Sequence, residues 1–454
     1  MAAAKTFRGG IHPQYNKKST AGEPIRAAAP PSQVVVPLCQ HIGAPCEPLV
    51  AKGDHVLLGQ KIGDSSAFVS APVHASVSGT VAAVETRPHP SLGSGLAVVI
   101  DNDGQDELDP SLSGAGSPGA VSVEDIRRAV REAGVVGLGG AAFPTAVKIT
   151  PPQGKPIEVV VLNAAECEPY LTADHRVMLE ETQQTLDGLG LIIKACGAER
   201  GLIAIEDNKP DAVAAMSEAL AAGKGPAGVE VQIVLLHTKY PQGSEKQLVW
   251  ACLNREVPSG GLPLDVGVVV NNVGTAGAVA RAVAHGTPLY ERVVTVTGSP
   301  VAQPQNLRVR LGTSFAYLIE QCGGFVKPVA KVINGGPMMG IALPGLDFPV
   351  VKGTSGLLCL GQDEADVDVV GPCLKCGRCV ENCPMFLAPL WIAAYGERGL
   401  HEQAERLGAL DCMECGSCAY ICPARRPLVQ AIRHSKGEIM ARRRQEARRA
   451  APAG

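Results

Sequence analysis

The chain has 454 residues, of which 46% are hydrophobic and 19% charged; this ordinary globular composition excludes wholesale disorder, and the length predicts several domains. The net charge of −3 is unevenly distributed, because residues 425–454 carry nine Lys or Arg against two acidic residues. An acidic body with a basic tail argues against a nucleic-acid-binding protein. No apolar run reaches the roughly 18 residues of a membrane span, so no transmembrane segment is predicted. The first residues lack the apolar core of a secretion signal, which predicts a reducing, cytosolic environment.

Residues 1–30 are predicted to form an irregular arm, and residues 31–110 a small β barrel. The barrel segment contains short apolar runs broken by Gly and Pro, among them GDHVLLGQKIG and APVHASVSGTVAAV. Short strands at this spacing are typical of a barrel or sandwich. The two runs resemble the biotinyl/lipoyl-type barrel-sandwich hybrid. The turn between them, Asp64 to Phe68, contains no Lys. The segment is therefore predicted to be a structural barrel rather than a swinging carrier arm.

Residues 111–285 are predicted to form an α/β domain. Ser122 with Asp125 makes a capping-box-like start for a first helix that ends at Gly134. Beyond it, the apolar strands IEVVVLN, GLIAIED and VEVQIVLL alternate with helical patterns such as VMLEETQQTLDGLGLIIKACG. This alternation predicts a largely parallel sheet covered by helices.

The chain ends in a β-rich module and a cysteine-rich domain. Residues 286–360 return to strands around one helix that begins near Ser314. An acidic linker, GQDEADVDVVGP, opens the last part, residues 361–454. Outside its cysteines this part is mostly helical in pattern and finishes in the basic tail. The tail is either a solvated helix end or a surface that meets anionic lipid or an acidic subunit.

Eight of the fifteen cysteines form two copies of one motif, CLKCGRCVENCP and CMECGSCAYICP. Both have the bacterial [4Fe–4S] spacing, in which the fourth Cys ligates the other cluster. Zinc sites use four ligands in all and disulfides are not expected here, so two clusters are predicted. The helical segment between the motifs favours a helical dicluster domain over a small ferredoxin. One predicted ligand set is Cys373, Cys376, Cys379 and Cys422, and the other is Cys412, Cys415, Cys418 and Cys383. The cysteines without ligand spacing, mostly predicted to be buried small hydrophobes, are Cys39, Cys46, Cys167, Cys196, Cys252, Cys322 and Cys359.

Three polar or Gly-rich segments of the α/β domain predict a ligand site. GVVGLGGAAFPTAVK, residues 134–148, lets the backbone approach a phosphate, with a Lys just beyond. It is neither a Walker loop nor a GxGxxG motif. NAAECEPYLTADHR follows one apolar strand and VVVNNVGT ends another, at the carboxyl ends where α/β sheets bind ligands. Either Asn-containing segment alone is compatible with a simple turn.

These segments carry a resemblance. GLGGAAFPTAVK, NAAECEP, YPQGSEKQL and VNNVGT resemble the flavin- and NADH-binding segments of the complex I flavoprotein subunit. Together with the barrel and the dicluster domain, their order resembles the RnfC family, whose members belong to the Rnf complexes, membrane-bound ferredoxin:NAD oxidoreductases. RGGIHP also fits, and NLRVRLGTSFAYLIEQCGGF…INGGPMMG resembles that family's soluble-ligand-binding β-grasp module. The implied fold class is multidomain α/β: a barrel-sandwich hybrid, an α/β flavin-binding domain, a β-grasp module and a helical dicluster ferredoxin domain.

The resemblance also implies cofactors and site residues: a non-covalent FMN, with NAD(H) as substrate. The residues implied along the FMN, its phosphate and its ribityl chain are Gly137, Gly139, Gly140, Lys148, Asn163, Asn271 and Asn272. Those implied where NADH docks are Phe143, Glu166, Glu168 and Glu245. The departures from the complex I pattern are Leu138 for an Arg, Ala142 for a Gly, Ala165 for an acid and Lys246 for a second Glu. The NADH side therefore departs further from the pattern than the flavin side.

The implied function is that of an electron-transfer subunit. It would pass electrons between NAD(H), FMN and two [4Fe–4S] clusters, to or from partner subunits of an ion-translocating complex, with ferredoxin an indirect partner. Its expected location is peripheral, on the cytoplasmic face of the inner membrane. A soluble corrinoid (cobalamin) reductase of a diol-utilisation system is a second interpretation, and a cluster-bearing scaffold without NADH activity a third.

Overall fold

The computed structural model describes residues 3–116, 119–365 and 369–450. The N-terminal arm contains helix α1 (Lys18–Ala21) and strand β1 (Ile25–Ala27). Strand β1 pairs in parallel with residues 306–308, far along the chain. The prediction of a wholly irregular arm over residues 1–30 is therefore wrong. A strand of three residues is too short to show a periodic pattern, and its partner lies too far along the chain to be recognised from the local sequence.

The next seven strands confirm the predicted barrel-sandwich hybrid. They are β2 (Gln33–Pro37), β3 (Glu47–Pro48), β4 (His55–Val56), β5 (Lys61–Asp64), β6 (Val73–His74), β7 (Gly79–His89) and β8 (Gly93–Asn102). The sheets run in the orders β2-β8-β7-β4 and β3-β5-β6, with antiparallel pairing throughout. Val34 and Val36, alternate residues on β2, are fully buried. This period of two directs one face of the strand into the core between the sheets.

The α/β domain follows. Its elements are α2 (Val123–Glu132), α3 (Thr145–Lys148), β9 (Val159–Ala164), α4 (Ala173–Glu180), α5 (Thr182–Cys196), β10 (Arg200–Glu206), α6 (Pro210–Ala221), β11 (Glu230–Leu236), α7 (Glu245–Leu253), β12 (Val268–Asn272) and α8 (Val273–His285). The four strands are parallel in the order β11-β10-β9-β12, as predicted. The Ser122 hydroxyl caps α2 by accepting from the backbone N–H of Asp125 at 3.1 Å.

One predicted helix is two. The pattern over residues 177–197 predicts a single helix, but α4 ends at Glu180 and α5 begins at Thr182. The Thr182 hydroxyl donates to the carbonyl of Met178 at 2.6 Å, a back-bond that bends helices. The Glu181 carboxylate, at the break, pairs with Arg308 of a later strand and lies 3.5 Å from the Arg281 guanidinium. These long-range ion pairs fix the break.

The third module is a six-stranded sheet with one covering helix. Its elements are β13 (Glu291–Thr297), β14 (Gln305–Arg310), α9 (Phe315–Gln321), β15 (Lys331–Asn334), β16 (Ile341–Leu343) and β17 (Gly356–Leu360). The strand order is β1-β14-β13-β17-β15-β16, so the arm supplies one edge of the sheet. The helix begins at Ser314 as predicted, and the Ser314 hydroxyl caps it by accepting from the Tyr317 N–H at 3.2 Å.

The cysteine-rich domain is helical, as predicted. It comprises α10 (Arg378–Glu381), α11 (Pro389–Gly396), α12 (His401–Arg406), α13 (Ser417–Tyr420) and α14 (Leu428–Ala450). Among the described residues, no helix is both long and apolar enough to span a bilayer. The cysteines without ligand spacing are buried, apart from the partly exposed Cys39. Residues 428–450 of the basic tail form α14.

Candidate functional site

The polar residues at the strand ends meet at one edge of the parallel sheet. Strands β9 and β12 are neighbours, and their register sets Asn163 beside Asn272. Asn163 Nδ2 donates to the carbonyl of Gly243 at 2.8 Å. Asn272 caps α8, because its Oδ1 accepts from the N–H groups of Gly274 at 2.9 Å and Thr275 at 3.3 Å. The segments around residues 163 and 272 therefore form one site.

The Gly-rich loop lies against this edge. Gly137 donates its N–H to the carbonyl of Phe143 at 2.9 Å, which closes the loop. The Leu138 N–H donates to Thr275 Oγ1 at 2.8 Å and ties the loop to α8. A β-carbon on Gly139 would lie 3.4 Å from Cβ of Asn272, whereas one on Gly140 would meet no atom within 4 Å. The loop thus touches the sheet edge at Gly139 and faces open space at Gly140.

Strand β12 carries an orphaned donor. Asn271 is 3% exposed, and its Nδ2 has no hydrogen-bond partner among the described residues. A buried donor left unpaired costs about 1–3 kcal/mol, so such groups normally have partners. FMN offers carbonyl, ring-nitrogen, hydroxyl and phosphate acceptors. A Gly-rich backbone, a free amide donor and a nearby Lys together fit that group.

Lys148 and Glu245 form an ion pair. Lys148 is the last residue of α3, and Glu245 is the first residue of α7. Both side chains are partly exposed. The pair joins the C-terminal end of α3 to the N-terminal end of α7. The structure thus brings together one residue predicted for FMN and one predicted for NADH.

The two other predicted glutamates are engaged in the protein. The Glu166 carboxylate accepts from the N–H groups of Asp174 at 2.7 Å and His175 at 3.1 Å, so it occupies the N-terminus of α4. The Glu168 carboxylate accepts from the N–H groups of Met338 at 3.1 Å and Met339 at 2.8 Å in the third module. Burial raises the pKa of Glu168 to about 7. Neither carboxylate points freely into the site.

Asp174 is a further acidic group at the edge. Burial, together with the neighbouring Glu166 carboxylate, raises the pKa of Asp174 to about 7. Asn272 Nδ2 donates to its Oδ2 at 2.6 Å. Asp174 therefore holds the amide of a residue implied at the flavin.

Four cysteines line one pocket between the two motifs. They form the buried set, which comprises Cys383, Cys412, Cys415 and Cys418. Burial raises the pKa of the Cys418 thiol, and the nearby Cys412, Cys415 and Cys383 raise it further. One thiol from the first motif thus faces three from the second, and the other lining residues, such as Leu387, Val429 and Ile432, are mainly apolar. Four thiols in an apolar pocket fit a [4Fe–4S] cluster.

The remaining four cysteines, the exposed set, are Cys373, Cys376, Cys379 and Cys422. Cys373 and Cys376 are exposed, and the other two are half-buried. Burial raises the pKa of Cys379, and the thiols of Cys422 and Cys373 add to that shift, so these three lie close together. The structure thus brings members of both motifs together in each set.

Four family models match the chain in sequence order. The RnfC barrel sandwich hybrid domain matches residues 5–105, the Nuo51 FMN-binding domain 130–281, the SLBB domain 293–342 and the 4Fe-4S dicluster domain 366–423. The C subunit of the Na(+)-translocating ferredoxin:NAD(+) oxidoreductase complex of Acetobacterium woodii is 50% identical over 439 residues, which cover 97% of this chain and 98% of that protein. The chain belongs to the RnfC family.

Other relatives extend the RnfC comparison. The C subunit of the proton-translocating ferredoxin:NAD(+) oxidoreductase complex of Clostridium ljungdahlii is 47% identical over 96% of this chain and 94% of that protein. The C subunit of the ion-translocating oxidoreductase complex of Rhodobacter capsulatus is 41% identical over 96% of this chain and 84% of its own length. A chain of a NAD+-reducing [NiFe]-hydrogenase has a TM-score of 0.50 and 21% identity, covering 73% of this chain and 63% of its own length. That likeness concerns the fold.

These matches confirm the predicted fold class and cofactor domains of this RnfC-family chain: an FMN-binding domain and a 4Fe-4S dicluster domain. Sequence reasoning assigned no role to Asp174, Tyr240 or the glycines of RGGIHP. The signal for Asp174 was its place in the polar segment after β9. Tyr240 opens the YPQG segment, and a Gly pair indicates a close backbone approach.

Proposed function

We propose that this RnfC-family chain passes electrons between NAD(H), a non-covalently bound FMN and two [4Fe–4S] clusters. Its partners are the other subunits of a membrane-bound, ion-translocating oxidoreductase complex. Ferredoxin is reached through those subunits. We place the chain peripherally, on the cytoplasmic face of the membrane.

One observation supports this proposal above the others: a short series of contacts joins the flavin edge to the buried set. Asn163 reaches the carbonyl of Gly243 at 2.8 Å, and the Gly243 N–H donates to the Cys167 sulfur at 3.2 Å. Cys167 packs in one apolar cluster with Ile11, Tyr240 and Cys415. Packed side chains and hydrogen bonds therefore join the sheet edge to a predicted cluster ligand.

The chemistry explains why both kinds of site share one chain. A hydride carries two electrons and a [4Fe–4S] cluster passes one, and a bound flavin supplies the exchange between them. The protein contributes binding and position. Asn271 offers the free amide donor, and Lys148 the cation for the phosphate. Phe143 and Glu245, whose carboxylate pairs with Lys148, are assigned to NADH, and Asp174 orients Asn272.

The exposed set faces the partner subunits in this proposal. Leu374, between two of its cysteines, is 64% exposed, and Phe386 is 69% exposed. Exposed apolar side chains of this size around a redox site are typical of a protein–protein interface. Electrons therefore pass through the buried set before the exposed set when NADH is the donor.

The complex subunit is preferred over the two alternatives. Relatives with 50% and 47% identity over nearly the whole chain carry that name. Two observations also argue for a flavin-binding chain rather than a scaffold without NADH activity. Asn271 has an unpaired donor among the described residues, and contacts join the flavin edge to the cysteine pocket. No feature of the described residues specifically favours a corrinoid substrate.

The test uses the full chain, purified without oxygen and reconstituted with iron, sulfide and FMN. We expect stoichiometric flavin, two clusters by EPR, and NADH:ferricyanide activity. Asn271→Ala is expected to lose flavin and activity while keeping both clusters. Asn102→Ala, which removes a donor to the Pro31 carbonyl in the barrel, is the matched control. A chain that holds both clusters yet binds no FMN or oxidises no NADH would contradict the proposal.

A further inference from the structure

The first residues of the arm follow the flavin domain. The Lys5 N–H donates to the carbonyl of Leu235 at 2.8 Å, and Lys5 accepts from the His237 N–H at 2.8 Å. Ile11 then exchanges two backbone hydrogen bonds with Tyr240, at 2.8 and 2.9 Å. Residues 5–11, called here the strap, therefore run along the chain segment that leaves β11.

The strap also touches the first cysteine motif. The Gly10 N–H donates to the carbonyl of Asn382 at 2.9 Å. Gly9 and Gly10 have φ of 74° and 77°. A β-carbon on Gly9 would lie 2.8 Å from the carbonyl oxygen of Cys383, and one on Gly10 would lie 2.6 Å from that of Tyr240. The gap between the motif and the flavin domain thus admits a bare backbone only.

Tyr240 makes the corresponding contact to the second motif. Its side chain is 1% exposed, and its hydroxyl donates to the carbonyl of Cys415 at 2.8 Å. The ring packs with Ile11 of the strap and with Cys167. The strap and Tyr240 therefore hold one cysteine from each motif, Cys383 and Cys415, and both belong to the buried set.

We propose that the strap sets the position of the buried cluster relative to the flavin edge, with Gly9, Gly10 and Tyr240 as positioning residues. This role rests on the proposed function. Electron transfer slows steeply as the distance between two redox centres grows, so a small displacement of Cys383 slows the step between them. Hydrogen bonds and packing around the ligands also tune the cluster's potential.

The experiment compares Gly9→Ala with Gly22→Ala in the reconstituted full chain. Gly22 lies in the same arm, has φ of −85°, and a β-carbon there meets no atom within 4 Å. For Gly9→Ala we expect flavin content and NADH-to-flavin reduction to be normal in stopped flow. Flavin-to-cluster transfer should fall by about 10- to 100-fold. The EPR signal and midpoint potential of one cluster should shift, while Gly22→Ala matches the wild type. A folded Gly9→Ala chain with wild-type spectrum and rates overturns the proposal.

A second pair of variants tests the role of the strap if the Gly9→Ala chain does not take up its iron–sulfur clusters. Tyr240→Phe removes only the hydroxyl that reaches Cys415, and Tyr317→Phe removes an exposed hydroxyl at the Pro30 carbonyl. We expect Tyr240→Phe alone to shift the potential of one cluster, and an unchanged potential overturns the proposal. The potentials are measured with a chemical reductant as well as NADH. A wild-type chain that binds no flavin would therefore contradict the proposed function, while the cluster comparison still decides the role of the strap.

Discussion

The two cysteine motifs share a backbone conformation and differ in their surroundings. Lys375 and Glu414 occupy the same motif position with φ of 54° and 59°, and Phe386 and Arg425 another with φ of 55° and 52°. The buried set nevertheless packs against the flavin domain and the strap, whereas the exposed set opens to solvent. The repeated cysteine spacing thus specifies the cluster ligands. The residues packed around each set specify the order in which the two clusters receive electrons.

The largest expected effect comes from removing single ligands. Cys383→Ser and Cys412→Ser lie in different motifs, yet we expect both to abolish the EPR signal of the same cluster. Cys376→Ser and Cys422→Ser should abolish the other. Iron content should fall by one cluster in every case. The control is Cys322→Ser, a fully buried cysteine without ligand spacing. Loss of the same signal from Cys383→Ser and Cys376→Ser would show that the sets are not crossed.

A pH dependence of stability is expected from Glu168 on the side of the buried set, beside that of Asp174 at the flavin edge. Glu168 contacts the Tyr240 hydroxyl at 3.5 Å, and burial raises its pKa to about 7. Between the ordinary carboxyl pKa and about pH 7, Glu168 is protonated in the folded chain and ionised in the unfolded chain. This group therefore lowers stability as pH rises from the ordinary carboxyl pKa to about 7, by about 1.4 kcal/mol per pH unit.

Denaturant unfolding of the full chain at several pH values checks this dependence. Glu168→Gln should reduce the slope between pH 5 and 7 by its own contribution, leaving that of Asp174. Glu381→Gln, an exposed residue of the first motif, should leave it unchanged. An equal slope in wild type and Glu168→Gln would contradict the raised pKa.

A smaller effect is expected at the surface around the exposed set. Leu374→Ser should lower electron delivery to the membrane complex by about tenfold, because an exposed apolar contact at an interface contributes on that order. NADH:ferricyanide activity of the purified chain should not change. Leu92→Ser, at a barrel residue that is 58% exposed, serves as the control. Equal electron delivery by the wild type, Leu374→Ser and Leu92→Ser would contradict a place for Leu374 in the interface.

The smallest expected effect concerns α14, which lines the pocket of the buried set with Val429 and Ile432. Arg442 pairs with Glu402 and Glu405, both at 2.8 Å, on a largely exposed surface. Arg442→Ala should cost no more than about 1 kcal/mol and leave both EPR signals unchanged. Thermal unfolding measures this loss of stability. A changed cluster spectrum would mean that the basic end of α14 supports the pocket.

Sequence predicted those parts of the molecule that depend on local patterns. The apolar strands predicted the parallel sheet, and parallel strands end at one edge, which brings Asn163 to Asn272. The cysteine spacing predicted two ligand sets, and the four cysteines of one set line the buried pocket. The ligand roles themselves remain predictions. The roles of the individual flavin and NADH residues remain predictions.

Long-range contacts account for what sequence did not predict. The Glu168 carboxylate binds backbone of the third module, and Glu166 caps a helix that begins seven residues beyond it. Strand β1 pairs with β14, and the Gly10 N–H donates to the carbonyl of Asn382. The partners of Glu168, β1 and Gly10 lie far along the chain, so no periodicity signals those contacts. The cap made by Glu166 lies within one segment, but a single side chain at a helix start leaves no periodic pattern.

The strap also sets an order of assembly during synthesis. Its backbone partners Leu235, Tyr240 and Asn382 all emerge from the ribosome after it, the last near the far end of the chain. A nascent chain can therefore pair the strap with Leu235 and Tyr240 before the first cysteine motif has been made, whereas the contact with Asn382 has to wait for that motif. This last contact joins the first residues of the chain to the last domain made.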